Sequence, residues 1–202
     1  MSKLPDGLRN ISSEVLSDNW YILRNYRFEQ QDNDGEWQTV RREVFDRGNG
    51  AAILLYHKAR QTIVLTRQFR LPSYLNGNDD GQMIEVPAGL LDALSPADAI
   101  AKEAMEETGY LVSDPVPVFD LFMSPGALTE RIHLFVAEVH DPDRVGKGGG
   151  LACEHEQIEV LEMPFARACA MMADGRIRDA KTVILLQHAK IAGLFSETET
   201  KD

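Results

Sequence analysis

The stretch from Ala88 to Tyr110, which reads AGLLDALSPADAIAKEAMEETGY, constrains the fold of this chain more than any other. Ser95 followed by Pro96 is a helix start signal, because a serine oxygen can cap the first free amides and proline suits the first helical position. Gly109 is placed to be the left-handed residue that ends the helix. The stretch therefore predicts one short helix with a face of small residues that can lie close to a sheet.

This helix carries three glutamates within five residues, Glu103, Glu106 and Glu107. Residues three and four apart share a helix face, so these carboxylates converge and repel one another. Either the face points at water or a cation lies between the acids. For an arbitrary acidic trio, the solvent-exposed face is the commoner explanation, so the flanking residues decide.

The flanking segments favour the cation. Val86–Gly89 predicts a strand–loop–helix turn whose glycine allows close approach of the backbone, so main-chain oxygens could join the carboxylates. Far downstream, Glu154 and Glu156 follow the glycine run Gly146–Gly150, which we expect to be a flexible loop able to close over a site. Oxygen ligands without a Cys or His cluster indicate Mg²⁺ or Mn²⁺ and not zinc. Carboxylate-held Mg²⁺ usually acts on phosphates.

Basic residues that could hold a phosphate-bearing substrate lie outside the helix. Solvation at the surface is the alternative explanation for each of them. Arg70 is the best candidate, because it follows a predicted strand end and precedes a proline-containing loop. The set comprises Arg41, Arg42, Arg67, Arg70 and Lys181.

Charge and cysteine content argue against several other classes of protein. A formal net charge of −11 argues against nucleic acid and anionic membranes as partners. Cys153 and Cys169 lie in different kinds of segment and do not make a disulfide framework. The N-terminus lacks a basic region followed by an apolar one, and no apolar run approaches about 18 residues. We therefore expect a cytoplasmic protein that contacts neither nucleic acid nor membrane.

The N-terminal part of the chain predicts a small β structure. Residues 1–14 are polar without a period, and we expect a loosely held start. Leu16–Gln30 and Trp37–Phe45 predict two strands of a hairpin around the turn signal Asp32–Gly35. A sheet this small is marginal alone and needs a surface to pack on.

In the rest of the chain, strands surround two or three helices without a regular β-α-β-α alternation. This pattern favours the α+β class, with a mixed sheet between helices, over a doubly wound fold. We place the N-terminal β subdomain at residues 1–47 and the main domain at residues 48–202. The remaining strands are predicted at Ala51–His57, Thr62–Arg70, Met83–Val86, Pro115–Met123, Arg131–Val139 and Ile158–Met163, and the later helices at Pro164–Asp174 and Thr182–Leu194.

The segment from Gly89 to Tyr110 resembles the Nudix box, G-x5-E-x7-R-E-U-x-E-E-x-G-U, where U is aliphatic or aromatic. Its second half, E-A-M-E-E-T-G-Y from Glu103, matches every defined position except the small apolar Ala104. The first half is one residue shorter than the pattern, with Ser95 near the usual first glutamate and Lys102 in place of the arginine. The chain is therefore identified as resembling the Nudix hydrolase superfamily.

Residues 16–194 as a whole resemble the branch of that family that hydrolyses GDP-mannose to GMP and mannose 1-phosphate. The resemblance implies a Nudix α/β/α sandwich preceded by an N-terminal β subdomain. It also implies a homodimer whose N-terminal sheet crosses to the partner, so that both chains share each active site. The segments that carry it are 16–20, 42–50, 67–70, 76–78, 90–92, 123–126, 148–150 and 177–182.

The resemblance also assigns residues to the site. It implies metal binding by the main-chain oxygen of Ala88 and the carboxylates of Glu103, Glu107 and Glu156, with these three glutamates as the catalytic residues. Glu156 would serve as ligand, general base or both, and Glu130 is the second candidate for the base.

Substrate contacts are implied on both sides of the domain boundary. Trp20 either stacks on the nucleotide base or packs in the core of the hairpin. The implied contacts are Trp20, Arg41, Arg42, Glu43, Arg70, Ala88, Gly89, Leu90, Glu107, Glu130, His155, Glu156 and Lys181.

Alternative functions remain open at this point. Pro125 lies 15 residues after Tyr110, a spacing that ADP-ribose pyrophosphatases share, and such an enzyme would give AMP and ribose 5-phosphate. The altered first half of the box suggests a non-catalytic nucleotide-sugar sensor instead, although all three glutamates are retained. A structural protein with an acidic helix face would bind no Mg²⁺ specifically.

Overall fold

The computed structural model describes residues 4–151 and 156–196. The chain divides into two compact units. The first comprises the residues up to Asn49 together with Phe122–Arg131, and the second comprises Gly50–Leu121 and the residues from Ile132 onward. No helix in the described part of the chain is long and apolar enough to cross a membrane.

The first unit contains a three-stranded antiparallel sheet of β1 (Leu8–Asp18), β2 (Ile22–Gln31) and β3 (Trp37–Asp46), in that order. The turn after β2 is the predicted one: Asp32 Oδ1 accepts hydrogen bonds from the main-chain amides of Asp34 and Glu36. The predicted hairpin is therefore confirmed as part of a larger sheet.

The start of the chain differs from the prediction. The expectation of a loose start is wrong for residues 8–14, which belong to β1, and residues 1–3 lie outside the described part of the chain. The expectation of a single strand over Leu16–Gln30 is also wrong, because a turn separates β1 from β2. Nearly all side chains of β1 are exposed, so no buried face requires apolar and polar residues to alternate along the strand. The register with β2 also shifts between Arg9 and Ser12. Backbone hydrogen bonds to β2 hold this strand in place, and the sequence of β1 alone does not predict them.

The second unit contains a seven-stranded sheet. The path of the sheet is β10-β5-β4-β9-β8, with β6 paired to β5 and β7 paired to β4. The strands β4 and β9 run parallel, whereas β5 pairs antiparallel with β4, β6 and β10. The sheet is thus mixed, as predicted. Its strands are β4 (Gly50–His57), β5 (Thr62–Phe69), β6 (Gln82–Glu85), β7 (Ala88–Leu90), β8 (Val116–Phe122), β9 (Arg131–Glu138) and β10 (Glu159–Pro164).

Helices cover both faces of the central strand β4. Its residues Ala51, Ile53 and Leu55 share a buried cluster with Ile100 and Ala104 of the glutamate helix. Successive side chains of a strand point to opposite faces, and the alternate residues of β4 are buried as well. The last helix contacts the same strand, so the unit is an α/β/α sandwich of the α+β class. The helices are α1 (Leu71–Leu75), α2 (Pro96–Thr108), α3 (Phe165–Ala173) and α4 (Ala180–Ile191), with a 3₁₀ turn at Asp141–Asp143.

The glutamate helix α2 begins and ends where the sequence predicts. Ser95 is its N-cap, and its hydroxyl oxygen accepts a hydrogen bond from the Asp98 amide at 3.2 Å. Gly109 has a φ of 79°, the left-handed conformation expected of the terminating residue.

Two short elements were not predicted. The five-residue helix α1 lies in the expected loop after Arg70, and the three-residue strand β7 lies where a turn was expected. Strand β7 exists because it pairs with Gly50–Ala52 of β4, a contact between distant parts of the chain.

Candidate active site

Strand β7 passes directly against the first glutamate of α2. A Cβ atom built on Gly89 would overlap the carboxyl group of Glu103, so a larger residue there would displace that carboxylate. Two residues of the predicted set, Ala88 and Gly89, therefore bring their backbone to the acidic face of the helix, as the turn before it suggested. Leu90 ends the same short strand and is half-buried.

Glu107 is the most unusual acid of this face. Its side chain is 2% exposed, and its Oε2 has no hydrogen-bond partner among the described residues. Burial raises the pKa of Glu107 well above the ordinary value, and the charges of Glu103 and Glu156 raise it further. A buried and unpartnered carboxylate oxygen is costly unless a proton or a cation compensates it.

Glu156 contributes the third charge from the late loop. Its Oε2 accepts a hydrogen bond from the Leu151 amide at 3.0 Å. A Cβ atom on Gly150 would lie 2.5 Å from this oxygen, and the Gly150 amide donates to the Glu106 carbonyl, so the structure brings Glu156 toward the end of α2. The predicted residues Glu154 and His155 lie outside the described part of the chain.

The donor set fits a hard divalent cation. Glu103, Glu107 and Glu156 supply carboxylate oxygens, and the Ala88 carbonyl lies on the strand that touches Glu103. Within residues 4–151 and 156–196, no three His, Cys, Asp or Glu side chains are already arranged to hold a metal ion. The orphaned oxygen of Glu107 is what a cation would satisfy, and the metal site stays a prediction.

The backbone of the glycine run is hydrogen-bonded to helix α2. The amides of Gly149 and Gly150 donate hydrogen bonds to the carbonyls of Glu107 and Glu106, at 2.9 and 3.1 Å. The run is packed on the last turn of α2, in contrast to the flexible loop that was predicted.

The buried carboxylate of Glu85, which is absent from the predicted site, forms hydrogen bonds with two of the predicted cations. Arg70 Nε donates to one of its oxygens at 2.7 Å, and Lys181 Nζ donates to the other at 2.6 Å. Burial would raise the pKa of Glu85, but the charges of Lys181 and then Arg70 outweigh it and hold that pKa below its ordinary value. A charged residue inside the predicted apolar strand Met83–Val86 was the available signal, because such residues are buried only when paired.

The same network ties helix α4 to the turn that precedes β7. Lys181 Nζ also donates to Asp179 Oδ1 at 2.8 Å, and the pKa of Lys181 is raised because the two carboxylates outweigh its burial. Thr182 Oγ1 donates to Asp179 Oδ2 and accepts from the Val86 amide at 2.8 Å. The position of Lys181 is thus linked to the backbone two residues before Ala88.

Arg67 differs from Arg70 in its partner, which is an exposed carboxylate and not the buried Glu85. It forms an ion pair with Glu159 in which both side chains are about half exposed. Lys102, which replaces the arginine of the Nudix box, forms an ion pair with Glu106 at 2.8 Å along the helix.

The remaining predicted contacts belong to the first unit. Trp20 is 87% exposed in the turn between β1 and β2, so its interpretation as a core residue is wrong. Glu130 is buried, and its Oε1 lies 3.3 Å from Arg47 Nε. Arg41, Arg42 and Glu43 lie exposed along β3.

Comparison with known proteins identifies two family models along the chain. The family model described as the NUDIX domain matches residues 46–187. A second model, described as the GDP-mannose pyrophosphatase NudK N-terminal domain, matches residues 8–45. Together the two models span both the three-stranded sheet and the acidic site.

Curated relatives match over nearly the whole chain. The GDP-mannose pyrophosphatase of Pectobacterium atrosepticum is 52% identical over 187 residues, which cover 93% of this chain and 96% of the relative. Those of Klebsiella pneumoniae and Yersinia enterocolitica are 51% and 52% identical, covering 95% and 93% of this chain and 96% and 97% of the relatives. With a family model over most of its length and relatives at half identity, the chain belongs to the Nudix hydrolase family.

Proposed function

We propose that this Nudix hydrolase cleaves the diphosphate bond of GDP-mannose, giving GMP and mannose 1-phosphate. The observation that carries the proposal is the 50–52% identity to GDP-mannose pyrophosphatases over more than nine tenths of the chain. The N-terminal model adds support, because it is described by that same enzyme and covers the segment outside the Nudix domain.

Nudix hydrolases generally use divalent metal ions, and we propose Mg²⁺ here, with Mn²⁺ as a possible substitute. Glu103, Glu107, Glu156 and the Ala88 carbonyl would hold it, because all are oxygen donors and Glu107 carries an unsatisfied buried oxygen. The bound ion would neutralise phosphate charge and lower the pKa of a water.

The other side chains act by charge and position. Glu156 is proposed as the general base that takes a proton from the attacking water, with Glu130 as the alternative. Arg70 uses Nε for Glu85, which leaves the two terminal nitrogens of its guanidinium for a phosphate. Lys181 adds a second positive charge at the same carboxylate. We propose these two cations as diphosphate contacts, together with the first-unit contacts predicted above.

Steady-state hydrolysis of a panel of nucleoside diphosphate compounds with Mg²⁺ tests the function. We expect kcat/KM for GDP-mannose to exceed that for ADP-ribose, with GMP and mannose 1-phosphate as products. A reversed ratio would establish an ADP-ribose pyrophosphatase. A nucleotide-sugar sensor would bind GDP-mannose but hydrolyse it only at the background rate, and Glu107→Gln would leave that rate unchanged.

We also propose that the protein is a cytoplasmic homodimer with shared active sites. The three-stranded sheet exposes the apolar side chains of Ile11, Val15 and Leu16, and the turn after β1 exposes Trp20; a sheet of this size cannot bury them by itself. Light scattering after gel filtration is expected to give twice the 22.6 kDa chain mass, and Val15→Glu to shift the protein toward half that value. A fully active monomer would contradict the proposal.

A further inference from the structure

The C-terminal end of α2 is capped by a segment from far along the chain. The last carbonyls of a helix lack partners within the helix. Those of Glu106 and Glu107 accept hydrogen bonds from Gly150 and Gly149, and the Gly109 carbonyl accepts from the amides of Val145 and Gly146. The loop backbone therefore supplies the hydrogen bonds that the end of the helix lacks.

This docking requires glycine at specific positions. Gly148 has a φ of +65°, and a Cβ atom there would overlap the Glu107 carbonyl and the backbone of Thr108. Gly146 differs, since its φ is not positive and its Cβ would meet the Gly109 backbone at an ordinary 3.6 Å. Alanine at position 148 should therefore disrupt the contact between the loop and α2, whereas alanine at position 146 should preserve it.

The docked backbone also fixes the position of Glu156. The Ile158 amide donates to the Gly149 carbonyl at 3.2 Å, and the Glu156 amide donates to the Leu151 carbonyl at 3.3 Å. A Cβ atom on Gly150 would lie 2.5 Å from Glu156 Oε2. Glu156 is therefore held close to the residues that are bonded to α2.

We propose that Gly148, Gly149 and Gly150 form a clamp that sets the position of the Glu156 carboxylate relative to Glu107. The clamp rests on the proposed function, in which Glu156 is the base and a metal ligand. The glycines are positioning residues, because they act through their backbone on Glu156 and not on the substrate.

Three alanine substitutions test the clamp. Gly148→Ala and Gly150→Ala are expected to lower kcat for GDP-mannose about 10²-fold, the effect of misplacing a catalytic group by about 1 Å. The KM for GDP-mannose should change little. Gly146→Ala is expected to keep kcat within about twofold of the unaltered chain, since its added methyl group meets only ordinary contacts. Equal kcat values in all three variants would overturn the proposal.

A double substitution separates positioning from general damage to the fold. If Gly150 acts through Glu156, adding Gly150→Ala to Glu156→Gln should lower kcat no further, because the group it positions is already removed. Losses that multiply in the double variant would show that Gly150 acts elsewhere and would overturn the proposal.

Amide hydrogen exchange provides a readout that does not depend on activity. The Gly149 and Gly150 amides of the unaltered chain should be protected, should lose protection in Gly148→Ala and should keep it in Gly146→Ala. Free exchange at both amides in the unaltered chain would overturn the clamp even if GDP-mannose is hydrolysed. Protection without hydrolysis of any diphosphate would leave the clamp standing and refute the proposed function.

Discussion

Glu107→Gln is expected to raise the free energy of unfolding when divalent cations are chelated. The carboxylate of Glu107 is buried, and its Oε2 has no partner among the described residues. A buried polar group left unsatisfied costs about 1–3 kcal/mol. A glutamine removes the buried charge and with it the repulsion from Glu103 and Glu156, so we expect a gain of about 1–3 kcal/mol by urea denaturation in EDTA.

The same substitution is expected to lower kcat for GDP-mannose by more than about 10²-fold, since losing even an outer-shell partner of a metal ligand costs about 10–100-fold. Mg²⁺ should raise the Tm of the unaltered chain, because a ligand that binds only the folded state stabilises it. That shift should be absent in Glu107→Gln. Thermal melts with EDTA and with Mg²⁺ measure it directly.

The stability gain should depend on pH in a defined direction. Burial, and then the charges of Glu103 and Glu156, hold the pKa of Glu107 well above its ordinary value of 4.5. A carboxyl whose pKa is raised by folding destabilises the folded state as the pH rises above 4.5, and the cost is complete above the raised pKa. The advantage of the glutamine in EDTA should therefore be largest in mildly alkaline solution and shrink as the pH falls.

Glu106→Gln is the matched stability control on the same helix. Glu106 forms an i,i+4 ion pair with Lys102, so its replacement should cost about 0.3–0.5 kcal/mol. If both glutamine variants gain stability equally, the cause is the reduced negative charge of the chain. The buried oxygen of Glu107 would then not be the source of the effect.

The parts of the fold that could be predicted are those decided within one segment. Ser95 and Gly109 act on the backbone a few residues away, so the ends of α2 follow from local chemistry. Strand β1 is decided by the neighbouring strand β2, and β7 by the distant strand β4. Pairing of this kind depends on where the partner lies, and neither strand carries a hydrophobic period that would reveal it.

The candidate site also combines features that one segment determines with features that depend on contacts between distant segments. Glu103 and Glu107 share a face by helix geometry alone, and the close approach of Gly89 to Glu103 follows from the turn before the helix. The pairing of Glu85 with Arg70 and Lys181 joins residues up to 96 positions apart. The glycine run was predicted as a free loop, because its sequence does not show that carbonyls at the end of α2 would accept its amides.

Glu85→Gln is expected to lower the free energy of unfolding by about 3 kcal/mol. Removing one partner of a buried ion pair costs about 3–5 kcal/mol, because an uncompensated charge is left behind. Lys181 keeps its bond to Asp179, which places the expectation at the lower end of that range. Arg70 loses the acceptor that orients its guanidinium, so KM for GDP-mannose should rise as well. Urea denaturation and steady-state kinetics measure the two effects.

The loss of stability in Glu85→Gln should be confined to a pH window set by the shifted pKa values of Glu85 and Lys181. Folding lowers the pKa of Glu85, so its contribution is present above the ordinary value of 4.5 and is lost as the pH falls through the lowered pKa. Folding raises the pKa of Lys181, so its contribution is present below 10.5 and is lost as the pH rises through the raised pKa. Glu159→Gln, which breaks the exposed pair with Arg67, should cost no more than about 1 kcal/mol. A loss from Glu85→Gln that is equally small would show that the two cations do not depend on the buried carboxylate.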